Sequence, residues 1–373
     1  MITLTCKEVS IRIINFTSVA FLLLSLMAAT KQEQVNPSAT AAAAPPPPIF
    51  ISTASLHSLI THESLIRHLQ SALPSLSAAV QSPLRHAHQT SAASSFLLMP
   101  CWSTSPSLPY IGTKLVTHHP NNSALNLPGV QAIFVLFNSL TGHPLAFMDA
   151  TALTLYRTAA VSALASLYLS RENSETLVMI GAGSLAPHLI KAHLSVRPNI
   201  KQVVVWNRTP EKSKTLVENL RKECNGIAGL SFESNGCLEE AVQGGDIISC
   251  ATNSEVPLVK GADLKAGAHL DLVGSFTPSM RECDDEAVRR GRVFVDNEAA
   301  VAEAGELVGA LEREVMRESE ILGDLVELIK GEKKIGRRSL EEITVFKSVG
   351  SAVVDLLTAQ MVYENYLDNL VIN

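Results

Sequence analysis

The chain has 373 residues, 46% of them hydrophobic and 18% charged, and 30 Lys and Arg against 36 Asp and Glu give a formal net charge of −6. At roughly 150 residues per domain, this length predicts two domains with enough apolar residues to bury a core in each. The acidic balance argues against a nucleic-acid-binding protein, because neutralising phosphates requires a clustered basic surface. The six cysteines form no CxxC pair and have no His at ligand spacing, so neither a metal site nor a disulfide scaffold is expected.

The first 48 residues are predicted to be a leader outside the fold. An apolar stretch from Ile13 to Ala29 follows Lys7 and Arg12 in the layout of a signal peptide, but polar residues interrupt it, and no stable membrane insertion of the mature protein is expected. Two interpretations stay open. Translation starts at Met27 and the protein is cytoplasmic, or the leader is an organelle presequence. Its basic and hydroxyl residues, with few acids, favour a chloroplast transit peptide.

The region from residue 49 to residue 170 shows a helical pattern, a set of short strands and a second helical pattern. Apolar positions at helical spacing run from Leu56 to Leu73, and residues 151–170 are rich in Ala and Leu with the same period. Between them lie the candidate strands SFLLMPCW, YIGTKLVTHH, QAIFVLF and PLAFMDA, the last two joined by turn residues 138–142. This spacing predicts a mainly antiparallel sheet followed by a connecting helix.

From Thr176 the pattern changes to alternating strands and helices. The candidate buried strands are TLVMI, QVVVW, DIISCA, HLDLVG and VFVDN. Repeated strand–helix units are typical of a parallel, doubly wound sheet of the Rossmann type. After Asn297 the chain turns acidic and helical, and a long last helix is predicted from Ser348 to Tyr366. The predicted fold class is therefore α/β, with a Rossmann-type sheet beside a second α+β domain.

The turn after the first of these strands carries a GxGxxA pattern and predicts a dinucleotide site. Strand TLVMI runs directly into a six-residue turn and a helix; the turn is Gly181, Ala182, Gly183, Ser184, Leu185 and Ala186. The first glycine permits a tight turn, the second lets the backbone approach a pyrophosphate, and the helix N-terminus offers free N–H groups. A plain tight turn between strand and helix is the alternative.

The next strand bears on which dinucleotide is bound. An NAD-preferring site usually places an acid here to bind the ribose 2′-OH, whereas this strand ends in Asn207, Arg208 and Thr209. Arg208 can pair with a 2′-phosphate and Thr209 can add a hydroxyl, so NADPH is predicted, with NADH weaker. The alternative is a solvated surface arginine.

Further polar groups follow two later strands and are predicted to line the cofactor crevice. Thr252 and Asn253 follow DIISCA, and Val273 and Gly274 follow HLDL. In open α/β sheets ligands bind outside the carboxyl ends of the strands. A role as ordinary loop-capping residues stays open.

Two cations in apolar surroundings predict an anionic ligand. Lys114 lies in YIGTKLVTHH and Arg157 lies in an Ala-rich helix, where a charge is costly unless it faces a partner or an opening. Arg157 could clamp a carboxylate with two hydrogen bonds, and Lys114 could act as a point charge or proton donor. Equally, each could pair with an internal acid, for which Asp149 is available nearby.

These residues together resemble the ornithine cyclodeaminase/mu-crystallin family. The resemblance is carried in order by GTKLVTHHPNN, TGHPLAFMDATALTLYRTAAVSALA, GAGSLA, VVWNRT, ATNSEVPLV and EITVFKSVGSAVVDL, and it spans about residues 49–366. It implies a homodimer whose substrate-binding and dimerisation domain is built from residues 49–150 and 320–373. Residues 151–319 are then expected to form the connecting helix and the NADP-binding domain.

The resemblance also implies roles for particular residues. Lys114 and Arg157 match the family positions that bind the substrate carboxylate beside the reacting bond, and Arg85 resembles a further carboxylate-binding arginine. GAGSLA and NRT match phosphate-binding positions, and NRT is similar to the NADPH-using mu-crystallin branch. Ser348 and Gly350 lie in a motif that resembles the part closing over the nicotinamide.

One departure bears on the reaction. The cyclodeaminase branch carries an acid in the loop after HLDL, where this chain has Phe276. The resemblance therefore implies reduction of a cyclic ketimine carboxylate by hydride transfer to the C=N bond. Plant reductases of this kind convert 1-piperideine-2-carboxylate (dehydropipecolate) to pipecolate. Water or Lys114 would supply the proton. An ornithine cyclodeaminase, an alanine-dehydrogenase-like enzyme and a non-enzymatic mu-crystallin-like binding protein stay open as alternatives.

Overall fold

The computed structural model of the chain describes residues 46–125, 127–331 and 335–372, which form two sheets with helices packed on them. The predicted leader lies outside the described residues except for its last three positions. Five cysteines fall in the described part, and all five are free thiols.

The first sheet has seven strands, and it is mainly antiparallel as predicted. They are β1 (Ile49–Ile51), β2 (Val80–Gln81), β3 (His86–Gln89), β4 (Ser95–Ser103), β5 (Tyr110–His118), β6 (Val130–Asn138) and β7 (Pro144–Asp149). The order is β1-β7-β6-β5-β4-β2, with β3 also on β4, and only the β1–β7 pair is parallel. The β6–β7 hairpin turns at residues 139–143, where the sequence predicted it.

The helical pattern that begins at Leu56 forms two helices rather than one. They are α1 (Thr53–Leu59) and α2 (His62–Leu76). Ile60 leaves the helical conformation, and the Thr61 side chain accepts a hydrogen bond from the Ser64 backbone N–H, which starts the second helix. The break has a local cause, because a threonine cap satisfies the free N–H groups of a new helix end.

The second sheet is parallel throughout and has the predicted doubly wound topology. Its strands are β8 (Thr176–Ile180), β9 (Gln202–Trp206), β10 (Ser231–Ser234), β11 (Ile247–Cys250), β12 (His269–Leu272), β13 (Gly291–Val295) and β14 (Ile343–Lys347), in the order β10-β9-β8-β11-β12-β14-β13. Its connecting helices are α4 (Ala186–Val196), α5 (Pro210–Glu223), α6 (Leu238–Gly244), α7 (Asp285–Arg290), α8 (Ala300–Glu303), α9 (Gly305–Glu312) and α10 (Leu325–Lys330).

Two of these strands correct the sequence interpretation. β10 is short and most of its residues are polar, so no apolar run marked it as a strand. β14 inserts between β12 and β13, which places residues 343–347 in the Rossmann-type sheet, although the predicted boundary at residue 320 assigned them to the other domain. The apolar run ITVFK is fully buried, and only the pairing of distant strands decides which sheet receives it.

Two long helices form the centre of the fold. They are α3 (Ala150–Leu169), the predicted connecting helix, and α11 (Ala352–Ile372), which packs on α2, α3 and the first sheet. α3 is long and apolar enough to span a membrane, but most of it is buried inside the protein, as is usual for a core helix. The last helix starts four residues later than predicted, because Gly350 has a φ of +92° that a helix does not accept.

Candidate active site

The glycine turn lies at the point where the order of the second sheet reverses. β8 pairs with β9 on one side and with β11 on the other. Gly181 follows β8 with a φ of +107°, and a Cβ at this position would lie 2.6 Å from the Ala251 carbonyl oxygen after β11. Among the described residues, no side chain accepts a hydrogen bond from the first N–H groups of α4. This switch point is where doubly wound sheets bind dinucleotides.

A cavity of about 380 Å³ opens between this turn and α5. Its lining includes Ala182, Gly183 and Ser184 from the turn and Lys212 and Thr215 from α5. Gly183 has nothing within 4 Å of the place where a Cβ would be, which leaves room for a ligand against the backbone. The turn, the open helix end and this cavity fit the pyrophosphate and ribose of a nicotinamide dinucleotide.

The three residues after β9 have different surroundings. Asn207 is engaged internally: its Oδ1 accepts a hydrogen bond from Ala182 N, and its Nδ2 donates to the Thr209 carbonyl oxygen. It therefore ties the NRT segment to the glycine turn. Arg208 and Thr209 have exposed side chains at the same end of the sheet. Their predicted contact with a 2′-phosphate stays a prediction.

A buried carboxylate that the sequence analysis missed joins two of the crevice loops. Glu282 Oε1 accepts hydrogen bonds from Thr252 N at 2.7 Å and Thr252 Oγ1 at 2.9 Å, and its Oε2 accepts one from Gly274 N at 2.6 Å. The predicted cofactor residues Thr252 and Gly274 thus have these donors occupied, and they shape the crevice instead of offering N–H groups to it. Val273 is buried and Asn253 is exposed beside them.

The surroundings of Glu282 are unusually charged for a protein interior. Burial raises its pKa to about 7, against the opposing effect of Lys347. Lys347, the last residue of β14, has its Nζ 3.2 Å from Glu306 Oε1, and both side chains are fully buried. Buried charges are usually paired because an isolated charge loses its hydration. No local pattern distinguishes Glu282 from the acids on either side of it.

The two predicted cations meet at one acid, which is not the acid named from sequence. Lys114 Nζ donates to Asp355 Oδ2 at 2.6 Å, and Arg157 Nε lies 2.9 Å from Asp355 Oδ1 without the alignment of a hydrogen bond. Asp149 instead caps α3, where its Oδ1 accepts from Ala152 N, and it also contacts Thr53. Asp149 is adjacent in sequence, but its carboxylate is used by the helix end.

The Lys114–Asp355–Arg157 cluster is almost completely buried, and this sets its protonation. Burial lowers the pKa of Lys114 to about 8, although Asp355 acts in the opposite direction. Burial alone would raise the pKa of Asp355, but Arg157 and Lys114 outweigh it and hold that pKa below its usual range. Two cations share one carboxylate, so the cluster has one positive charge left for an anionic ligand.

The loop between β14 and α11 lies directly against Arg157. A Cβ at Gly350 would be 2.8 Å from Arg157 Nη1, so only glycine fits there without displacing the guanidinium. The Asp296 carboxylate holds this loop by accepting hydrogen bonds from Val349 N at 3.1 Å and Gly350 N at 2.8 Å, and burial raises its pKa to about 6. Ser348, also predicted for this loop, is buried and donates its N–H to the Leu272 carbonyl oxygen.

Arg85, the third predicted carboxylate-binding residue, is already paired. Its Nη2 donates to Glu303 Oε2 at 2.7 Å, and each side chain is about one quarter exposed. Its charge also contributes to lowering the pKa of Lys114. The structure therefore brings Lys114 and Arg157 together at Asp355 and pairs Arg85 with Glu303, and the sequence analysis named neither of these acids.

The fold combines an open parallel sheet, which has a glycine turn at its switch point, with two buried cations, Lys114 on β5 and Arg157 on α3. This arrangement defines a dinucleotide-dependent protein with a candidate site for a small anion. The chain belongs to the ornithine cyclodeaminase/mu-crystallin family, whose sequence pattern matches residues 48–369. The resemblance found from its motifs is thereby confirmed.

Individual relatives share nearly the whole fold. Protein SAR DEFICIENT 4 of Arabidopsis thaliana is 55% identical over 319 residues, which cover 86% of this chain and 98% of the relative. The structure of Thermococcus litoralis Δ1-pyrroline-2-carboxylate reductase in complex with NADH and L-proline superposes with a TM-score of 0.80 at 32% identity, covering 86% of this chain and 98% of that one. An archaeal alanine dehydrogenase dimer with bound NAD has a TM-score of 0.78 at 29% identity, with 86% and 97% covered. These relatives place the chain among nicotinamide-dependent oxidoreductases.

Proposed function

We propose that this chain is an NADPH-dependent reductase of cyclic ketimine carboxylates that converts 1-piperideine-2-carboxylate to pipecolate. The observation that carries the proposal is the buried Lys114–Asp355–Arg157 cluster, which leaves one positive charge for a carboxylate. Arg157 from this cluster touches the Gly350 loop at the carboxyl end of β14. The similarity to a reductase whose structure contains NADH and L-proline supports a cyclic imino acid as the substrate class.

The reaction adds a hydride to the imine carbon and a proton to the imine nitrogen, which gives the cyclic amine. A bound reduced nicotinamide supplies the hydride. Arg157 and Lys114 hold the carboxylate next to the C=N bond and so fix which carbon faces the cofactor. Asp355 orients both buried cations before substrate arrives, because its two oxygens contact one each.

Lys114 is the group that we assign to proton delivery. Its pKa of about 8 leaves the ammonium form dominant at neutral pH. This pKa is also low enough for the ammonium group to release a proton to the forming amine. The carboxylate of Asp355 stabilises the charged form until transfer. Lys114 therefore serves both as a carboxylate ligand and as the acid.

The loop after β12 favours reduction over deamination. Phe276, which stands where the cyclodeaminase branch has an acid, is 38% exposed, and its ring has no proton to give or take. Reduction of an existing C=N bond requires no second acid–base group, because the cofactor carries the chemistry.

The preference for NADPH rests on the end of β9. Arg208 and Thr209 are exposed there, and Lys212 adds a second cation to the wall of the nearby cavity, which Glu211 also lines. A 2′-phosphate would be attracted by both cations, whereas the 2′-OH of NADH gains nothing from them. NADH is expected to bind more weakly.

We also propose a homodimer formed through the outer face of the first sheet. Residues that pair directly on adjacent strands lie on the same face of the sheet. The outer face carries the apolar side chains of Phe50, Trp102 and Ile111, which are 65%, 37% and 38% exposed. A second copy is the occupant that we assign, because one relative of the same fold is a dimer. Exposed apolar faces of this kind mark association sites.

The deciding experiment follows loss of reduced-nicotinamide absorbance when the purified chain is mixed with 1-piperideine-2-carboxylate and either NADPH or NADH. Rapid oxidation of NADPH with pipecolate as the product is expected. Absence of turnover in protein shown to bind NADPH would contradict the proposal. Ammonia release from ornithine in the same preparation would support cyclodeaminase chemistry instead.

A further inference from the structure

Two acids pair with the substrate cations, and the second of them has no part in the reaction described above. Asp355 pairs with Lys114 and Arg157, and Glu303 pairs with Arg85. Asp296, a third carboxylate near Arg157, accepts hydrogen bonds from backbone N–H groups of the Gly350 loop. Arg85 is therefore the cation whose charge is balanced by an acid of its own.

Glu303 is held in this position by the chain on both sides of it. It ends α8, which begins three residues after Asn297. Asn297 Nδ2 donates to the Gly350 carbonyl oxygen at 3.3 Å, and Gly350 lies against Arg157. A short segment thus connects Glu303 to the wall of the substrate site, and its carboxylate meets Arg85 at 2.7 Å.

A second carboxylate on a substrate would find no free cation here. Arg85 is already neutralised by Glu303, and a nearby anion would be repelled by the Glu303 carboxylate. Selectivity among similar ligands often comes from such a repulsive group, because attraction to a shared feature cannot distinguish them.

We propose that Glu303 is a specificity-determining residue that restricts the substrate to cyclic imines bearing a single carboxylate, by neutralising Arg85 and repelling a second carboxylate. This inference rests on the proposed function and names the substrate class of the same site. Glu303 acts on a second carboxylate of the ring, which takes no part in the reaction. The hydride and proton steps are therefore unchanged.

The test compares two substrates with the same six-membered ring imine, 1-piperideine-2-carboxylate and 1-piperideine-2,6-dicarboxylate. The native chain is expected to favour the monocarboxylate in kcat/KM, and Glu303→Gln is expected to narrow this preference at least tenfold, mainly through a lower KM for the dicarboxylate. Glu303→Asp keeps the charge and should keep the preference. Glu298→Gln, an exposed neighbour in the same segment, is the matched control and should change nothing.

A purely structural role of Glu303 makes the opposite prediction. If Glu303 only orients Arg85, then Glu303→Gln raises KM for both substrates in parallel and leaves the preference unchanged, which would overturn the inference. Competitive inhibition by pyridine-2-carboxylate and pyridine-2,6-dicarboxylate gives a readout that needs no turnover of a ring imine. Failure of the native chain to reduce the monocarboxylate would refute the proposed function alone, since the inhibition ratio still reports charge selectivity.

Discussion

Lys114 and Asp355 are 241 positions apart in the chain, and a hydrogen bond of 2.6 Å joins them in the interior of the protein. One lies on a strand of the first sheet and the other in the first turn of the last helix. Their pairing fixes a cation that would otherwise lose its charge on burial, and it places that cation beside Arg157. We expect the proposed reaction at this site to depend on this contact.

The first prediction concerns pH. Because the Lys114 pKa is about 8, kcat/KM should fall as pH rises through that value, since the deprotonated amine neither binds a carboxylate nor donates a proton. Asp355→Asn removes the group that raises the Lys114 pKa, so the falling limb should move to lower pH. The measurement is a pH–rate profile of both proteins.

The same substitution should also reduce stability. Removing one partner of a buried ion pair costs about 3–5 kcal/mol, which denaturant unfolding measures. Glu63→Gln, in an exposed pair with Arg67, is the control and should leave both profile and stability nearly unchanged. An unshifted alkaline limb in folded Asp355→Asn protein would contradict the assignment of that limb to Lys114.

A second prediction concerns Gly350. Gly350→Ala should raise KM for the imine carboxylate at least tenfold, because the new methyl group would lie 2.8 Å from Arg157 Nη1. The left-handed backbone adds a cost of about 1 kcal/mol to any alanine there. Gly331→Ala is the matched control, since Gly331 also has a positive φ of +65°, but no atom of the described residues is found within 4 Å of the place where its Cβ would be. Equal KM values for the two variants would refute the proposed contact with the substrate arginine.

A third prediction concerns Glu282. Glu282→Gln replaces one acceptor oxygen with an NH₂ group facing backbone donors, so the loops after β11 and β12 should separate and NADPH affinity should fall about tenfold or more. Thr252→Val removes only one of the three hydrogen bonds to Glu282, together with the one that Thr252 Oγ1 accepts from Ser254 N, and should give a smaller loss in a protein that folds normally. Fluorescence titration with NADPH measures both. Glu286→Gln, on the surface, should bind NADPH like the native chain.

A fourth prediction concerns the cofactor preference. Arg208→Ala should weaken NADPH binding at least tenfold while changing NADH little, because only NADPH presents a 2′-phosphate. Lys214→Ala removes an exposed cation from α5, the helix that follows Arg208, and should leave the ratio of the two affinities unchanged. Titration with both cofactors decides this, and an unaltered ratio in Arg208→Ala would disprove the role of that residue.

A fifth prediction concerns assembly. Trp102→Glu places a charge on the outer face of the first sheet and should convert the dimer to monomers, because burying an unpaired carboxylate at an interface is costly. Leu140→Glu, at an 86% exposed hairpin position, should remain dimeric. Light scattering coupled to size-exclusion chromatography gives the mass of each. A monomeric native chain would contradict the proposed interface.

Much of the fold could be read from local patterns. Two short apolar runs and the turn residues between them predicted the hairpin of β6 and β7, and strand-then-helix repeats predicted the parallel sheet from Thr176. The turn at Gly181 could be placed because strand, glycines and helix are consecutive. The family resemblance added Arg85, which no local pattern distinguishes. β10 and the position of β14 escaped prediction, since strand order is a property of pairing between distant segments.

The sequence by itself determined the two kinds of sheet, the dinucleotide turn and the presence of two cations in apolar surroundings, because each depends on residues close together in the chain. Only the tertiary structure decided their partners. Asp355, and not Asp149, is the acid that Lys114 and Arg157 share. Glu303 pairs with Arg85, and Glu282 joins two loops by hydrogen bonds. Side chains far apart in sequence become neighbours only when the chain folds, and electrostatic interactions depend on that distance.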